Sequence, residues 1–194
     1  MRLTLPNVLT WLRIVAIPLL VGVFYTPTSW LSVHEQNVVA GVIFVLAAIT
    51  DWLDGYLARR MNQTSAFGAF LDPVADKLIV VAALILLLKL DRVDAVVALI
   101  IIGREVAISA LREWMANIGA AKSVAVSFLG KVKTAAQMIA IPMLLVHDTI
   151  EPPHLDAQLV GTWLICIAAL LTVVSMLYYL RAALPQVIRH ERGK

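Results

Sequence analysis

The sequence predicts an all-α integral membrane protein with six transmembrane helices and both termini in the cytoplasm. Three observations carry this expectation. Of the 194 residues, 61% are hydrophobic and 15% charged, with a mean hydropathy of +0.87. A soluble domain is about half apolar and a quarter charged, so the surplus belongs against lipid. Six apolar stretches approach or exceed the roughly 20 residues that a spanning helix needs. Finally, Lys and Arg gather in one alternate set of connections.

The first span is expected over 5–27. It carries Arg13 and lacks a short apolar region ending in a small-residue cleavage site, so it reads as a membrane helix and not as a removed leader. The others are expected over 37–60, 70–90, 93–115, 130–147 and 157–184. Turn-forming or polar segments separate them, among them Thr26-Pro27-Thr28, Asp91-Arg92 and Asp148 to His154. The first, third and fifth connections hold only Lys89 and Arg92. Arg2, Arg59, Arg60, Lys122, Lys131, Lys133, Arg189, Arg192 and Lys194 fall on the opposite side, which the positive-inside rule makes cytoplasmic. There is no repeat or low-complexity tract, so residues 1–194 read as one membrane domain. The net charge of +3 and pI of about 9.2 point to anionic headgroups and a phosphorylated ligand and not to nucleic acid. The lone Cys166 cannot form an internal disulfide, and the four histidines are too dispersed for a zinc site.

The second span ends Asp51-Trp52-Leu53-Asp54-Gly55-Tyr56-Leu57-Ala58-Arg59, and the third begins Gly68-Ala69-Phe70-Leu71-Asp72-Pro73-Val74-Ala75-Asp76. Asp51 and Asp54 are i and i+3, Asp72 and Asp76 are i and i+4, so each pair shares a helix face. Two antiparallel helices can aim all four at one another. Four carboxylates at a membrane surface repel and are costly to desolvate unless cations neutralise them. All-oxygen ligands suit hard divalent ions such as Mg²⁺ or Mn²⁺, and four negative charges balance two of them. Gly55 and Ala58 let a flat ligand approach the backbone. Arg59 is a phosphate partner, and Thr64 and Ser65 offer hydroxyls. Taken singly, Asp72 before Pro73 reads equally as a helix start, and each small residue as packing.

Asp51-x-x-Asp54-Gly55-x-x-Ala58-Arg59, eight residues, then Gly68-x-x-x-Asp72-x-x-x-Asp76 resembles the full signature of the CDP-alcohol phosphatidyltransferase family. The resemblance implies a homodimeric six-helix membrane fold that uses CDP-diacylglycerol and two divalent ions per active site. It implies that Asp51, Asp54, Asp72 and Asp76 hold the metals and that Asp76 doubles as general base. It also implies CDP-lipid contacts from Asp54, Gly55, Ala58, Arg59 and Gly68, with Thr64 beside them. The expected setting is a bacterial-type inner membrane, with the active site facing the cytoplasm.

A phosphorylated acceptor needs cations. The fourth span contains Gly103-Arg104-Glu105 and, eight residues beyond Arg104, Arg112; the fifth opens with Gly130-Lys131-Val132-Lys133. An arginine within an apolar run is costly and usually functional. Arg104, Arg112, Lys131 and Lys133 are therefore the candidate acceptor-phosphate residues, against readings of Arg104 as a structural partner of an acid and of the lysines as topology signals. These stretches, with Leu5-Pro6-Asn7-Val8-Leu9-Thr10-Trp11-Leu12-Arg13, resemble the branch of the family whose acceptor is glycerol 3-phosphate. Asn7, Thr10 and Arg13 are expected at the cytoplasmic mouth without an assigned role. The alternatives are the same chemistry with serine, inositol phosphate or phosphatidylglycerol as acceptor, or a cation transporter, for which the acids lie too much to one side of the membrane.

Overall fold

The computed structural model describes residues 5–61, 66–120, 128–150 and 155–192. They form six α-helices: α1 Leu5–Val23, α2 Val33–Met61, α3 Ala66–Lys89, α4 Ala95–Asn117, α5 Phe128–Val146 and α6 Ala157–Arg192. Between α5 and α6 a two-residue antiparallel pair, β1 Thr149–Ile150 with β2 Leu155–Asp156, stands where the sequence reads as a plain turn. Asp156 closes it by accepting from the Leu159 amide at the start of α6 (3.0 Å).

Local chemistry explains where the helices end. α1 stops at Val23, short of the expected 27, because Tyr25 and Thr26 switch to i→i−3 bonds onto Gly22 and Val23 ahead of Pro27. α2 starts earlier than expected because Ser32 and Glu35 form a reciprocal capping box, with Ser32 N to Glu35 Oε2 at 2.7 Å and Glu35 N to Ser32 Oγ at 3.2 Å. α4 is capped by Asp94, which accepts from Val96 N at 2.8 Å. α3 begins at Ala66, so Pro73 lies inside the helix and does not start it. Having no N–H, it leaves the carbonyl four residues before it without its helical donor. α6 continues through Pro185 to Arg192.

The chain divides into two compact units: Met1–Val93 with Ala140–Thr162, and Asp94–Ile139 with Trp163–Lys194. In the first, α1 packs against both α2 and α3. The end of α5 and the start of α6 complete it through glycine contacts. A Cβ on Gly41 would lie 2.7 Å from Val146 Cγ2, and one on Gly161 would lie 2.8 Å from Leu144 Cγ and 3.3 Å from the Ala140 carbonyl. Arg92 fastens the same unit, donating to the carbonyls of Leu144 (3.2 Å) and Leu145 (2.7 Å) and to Asn37 Oδ1 (2.8 Å). Lys89 lies 4.0 Å over the Tyr25 ring. The only two basic residues expected in the outer connections thus have structural partners.

Burial is inverted relative to a soluble protein. The stripe of α6 that turns inward is Ala157, Gly161, Ile165, Ala168, Ala169, Thr172, Ser175, Tyr179 and Ala183, mostly small or polar, while Leu159, Trp163, Leu170, Val174 and Leu177 are exposed. Small residues inside and large apolar residues outside are the packing of helices in lipid. By length and composition, Val33–Leu53 and Ala157–Ile188 suffice to cross a membrane, and Val8–Val23 is a shorter apolar helix.

Candidate functional site

The first unit gathers acids. Asp51 comes from α2, Asp72 and Asp76 from α3, and α1 supplies the groups that organise them. Thr10 and Arg13, three residues apart, share one face of α1, and both are buried. Thr10 Oγ1 donates to Asp72 Oδ1. Arg13 Nη1 pairs with Asp76 Oδ1 and lies 3.2 Å from Asp51 Oδ1. The Arg13 side chain is 1% exposed, whereas those of Asp51 and Asp76 are 41% and 40% exposed. The guanidinium is sealed and the carboxylates are open.

Of the other residues singled out in the sequence, Gly68 is buried near the start of α3. Asp54, Gly55, Ala58 and Arg59 lie on α2, with side chains outside those described, and Thr64 lies outside the described residues. Asp51, Asp72 and Asp76 carry three negative charges against the one of Arg13. Two carboxylate oxygens from different helices already converge on a single cationic nitrogen. Among the described residues no three acids, histidines or cysteines are closed around one point. The donor chemistry fits a hard divalent ion: all oxygen, surplus negative charge, and one side open to solvent.

The second unit gathers cations. Arg104 and Arg112 lie on α4, Lys133 on α5. Glu105 Oε1 accepts from Arg104 Nη1 at 3.2 Å and from Lys133 Nζ. Arg112 Nη2 donates to Tyr179 Oη of α6 at 3.2 Å. The Arg104 and Arg112 guanidinium carbons stand 5.7 and 5.2 Å from the Tyr179 ring centroid. Arg104, Lys133 and Tyr179 are 7%, 2% and 0% exposed. Among the described residues Glu105 is shared by Arg104 and Lys133, Arg112 is held by Tyr179, and the buried Nε groups of Arg104 and Arg112 have no hydrogen-bond partner. Buried donors without acceptors are costly; an oxyanion supplies acceptors and offsets the surplus charge. Lys131, two residues from Lys133, is exposed.

Of the four acids and four cations expected from the sequence, the structure brings together Asp51, Asp72 and Asp76 beside Arg13 and Thr10, and Arg104, Arg112 and Lys133 beside Glu105 and Tyr179. The sequence reading assigned no role to Arg13 or Thr10, and it did not single out Tyr179. The signal for Arg13 was present: an arginine in an apolar helix needs an anionic partner, and Thr10 lies one turn before it. Tyr179 carries no comparable signal, because an aromatic in a membrane helix ordinarily reads as packing.

Comparison with known proteins gives one consistent result. The family model described as CDP-alcohol phosphatidyltransferase matches residues 3–174. The chain is 49% identical over 185 residues to the CDP-diacylglycerol–glycerol-3-phosphate 3-phosphatidyltransferase of Salmonella choleraesuis, covering 94% of this chain and 96% of that protein. It is 48% identical, with the same coverage, to the proteins of that name from Shigella flexneri serotype 5b and Escherichia coli K12.

Proposed function

This chain belongs to the CDP-alcohol phosphatidyltransferase family, and from that premise we propose that it transfers the phosphatidyl group of CDP-diacylglycerol to glycerol 3-phosphate, releasing CMP. The observation that carries the choice of acceptor is the cationic cluster of buried Arg104 and Lys133 with half-buried Arg112, which Glu105 answers with one negative charge among the described residues. A neutral acceptor such as serine or inositol leaves that surplus unanswered, and a phosphate monoester answers it. The names of the relatives support the same reading.

The residue roles follow from the chemistry. The family generally uses divalent metal ions, and Asp51, Asp54, Asp72 and Asp76 are the residues that would hold two, Mg²⁺ or Mn²⁺. When bound, such ions neutralise the diphosphate and stabilise charge on the attacking and leaving oxygens. Arg13 holds Asp51 and Asp76 in register, and Thr10 orients Asp72. Asp54, Gly55, Ala58, Arg59, Thr64 and Gly68 are the residues that would contact the CDP moiety. Arg104, Arg112, Lys131 and Lys133 take the acceptor phosphate. Asp76 accepts the proton of the acceptor hydroxyl, whose oxygen attacks the phosphorus attached to diacylglycerol, and the bond from that phosphorus to CMP breaks. The motif contains no Ser, Cys or His nucleophile, which favours direct displacement.

The protein belongs to a family of membrane enzymes, and its exposed apolar surface agrees with a lipid setting. Six spans, cytoplasmic termini, an inner membrane with the site facing the cytoplasm, and a homodimer form the finer part of the proposal. The distribution of Lys and Arg supports the orientation.

The test is CMP release by detergent-purified protein with CDP-diacylglycerol and Mg²⁺ or Mn²⁺, offering glycerol 3-phosphate, glycerol, serine or inositol phosphate in turn. Release with glycerol 3-phosphate alone, abolished by EDTA, is expected. Release only with another acceptor refutes the acceptor assignment, and no release from folded protein refutes the transferase reading.

A further inference from the structure

Arg104 and Arg112 stand eight residues apart on α4, about 12 Å along the axis, and carry like charges. Left to themselves they would diverge, because each loses by approaching the other away from water. Yet both guanidiniums lie against one buried ring on α6, at 5.7 and 5.2 Å from its centroid, and Arg112 also donates to that ring's hydroxyl at 3.2 Å. The ring is itself held. Tyr179 is 0% exposed in a cluster with Ile108, Met115 and Ala183, and Tyr178 meets it edge-on at 5.9 Å and 71°.

We infer that Tyr179 is a positioning residue of the acceptor site: its ring gathers the two guanidiniums of α4, and its hydroxyl fixes the Arg112 fork, so that their buried Nε donors are preset for one oxyanion. The ring attracts the guanidiniums through its π face, and the hydroxyl sets rotation by accepting from Nη2. Because a planar guanidinium presents donors in a rigid fork, fixing one edge fixes the direction of the others. Lys133 is held through Glu105, which it shares with Arg104, and the ring and hydroxyl contacts of Tyr179 fall on the two arginines.

This rests on the proposal that a phosphorylated acceptor binds here, and the test separates the two. Initial rates of CMP release are measured for wild type, Tyr179→Phe and Tyr179→Leu with glycerol 3-phosphate and CDP-diacylglycerol varied in turn. Thermal midpoints are followed with and without glycerol 3-phosphate. Tyr179→Phe keeps the ring and is expected to raise KM for glycerol 3-phosphate roughly threefold to tenfold, with kcat and KM for CDP-diacylglycerol within about twofold. Tyr179→Leu loses ring and hydroxyl and is expected to raise it a further roughly threefold to tenfold, and the stabilisation given by glycerol 3-phosphate falls in the same order. An unchanged KM for glycerol 3-phosphate in Tyr179→Phe overturns the inference. So does an equal loss on both substrates, which is what a merely structural residue gives. If Tyr179→Leu does not fold, Tyr179→Phe decides alone. A wild type without glycerol 3-phosphate-dependent release instead sinks the acceptor assignment.

Discussion

The acid cluster of the first unit and the cation cluster of the second are mirror images in charge. In one, Arg13 bridges Asp51 and Asp76, with Asp72 held by Thr10 beside them; in the other, Glu105 bridges Arg104 and Lys133, with Arg112 held by Tyr179. Among the described residues, each has one residue of the minority sign bridging two of the majority. A charge sequestered in an apolar helical protein needs an opposite partner, and one partner keeps each cluster foldable without neutralising it. The surplus among the described residues, negative in the first and positive in the second, suits a ligand of opposite sign. The clusters differ in exposure. The acids are about two-fifths exposed around a sealed arginine, whereas Lys133 and Arg104 are nearly wholly buried around a partly exposed glutamate. The first suits ions exchanging with water, and the second suits selecting one solute by desolvation.

The strongest way to break this comparison is to remove a ligand-facing acid. Asp76→Asn is expected to lower CMP release by about 10³-fold or more, since under the proposed roles it removes a metal ligand and the general base together. Protein retention on size exclusion checks folding. EDTA should abolish wild-type release, and added Mg²⁺ or Mn²⁺ should restore it. Retention of a tenth of the activity by Asp76→Asn would remove Asp76 from the chemistry.

A paired experiment tests the minority charges. Arg13→Gln leaves Asp51 and Asp76 facing one another without their shared positive charge, and Glu105→Gln leaves Arg104 and Lys133 without their shared negative charge. Each is expected to cost about 1–3 kcal/mol, less than a fully buried pair because the acids are partly exposed. The rescue should be crossed. Divalent cation should stabilise Arg13→Gln more than it stabilises wild type, and glycerol 3-phosphate should do the same for Glu105→Gln. Thermal midpoints with each ligand decide, and rescue of both variants by one ligand would mean that the two clusters do not differ in the sign of the ligand they take.

The acid cluster was legible in the sequence because its members lie within one short stretch at helical spacing, so periodicity alone put them on shared faces. Arg13 and Thr10 complete it from α1, more than thirty residues away, and no local rule linked them to it. The cation cluster was half legible. Apolar context flagged Arg104, but the group is assembled from three helices, and only tertiary packing separates buried Lys133 from exposed Lys131. Among the elements, the six helices followed from hydropathy. The early start of α2 was missed at the Ser32–Glu35 box, although the residues for it were in view. Pro73 as a helix start was overridden by continuation of α3 on its N-terminal side to Ala66.

Lys133 and Lys131 sharpen the comparison within one helix. Lys133→Ala removes a buried, charge-assisted contact and is expected to raise KM for glycerol 3-phosphate by about tenfold or more. Lys131→Ala, at an exposed position, should raise it about threefold or less. Steady-state kinetics with saturating CDP-diacylglycerol separate them, and equal effects would mean that burial does not rank the cations.

The smallest effect on chemistry should come from Gly161, which belongs to neither cluster. An alanine there would press its Cβ on Leu144 Cγ and Cδ2 at 2.8 and 3.0 Å and on the Ala140 carbonyl at 3.3 Å. A side chain can rotate away, but a helix carbonyl cannot, so Gly161→Ala should cost about 1–3 kcal/mol. Because that strain acts on helix packing and not on charge, kcat and both KM values of the folded fraction should stay within about twofold of wild type, and neither divalent ion nor glycerol 3-phosphate should rescue the midpoint selectively. A selective rescue by either ligand would show that packing at the end of α5 and the start of α6 is coupled to that ligand's site, and the division between scaffold and charge clusters would have to be redrawn.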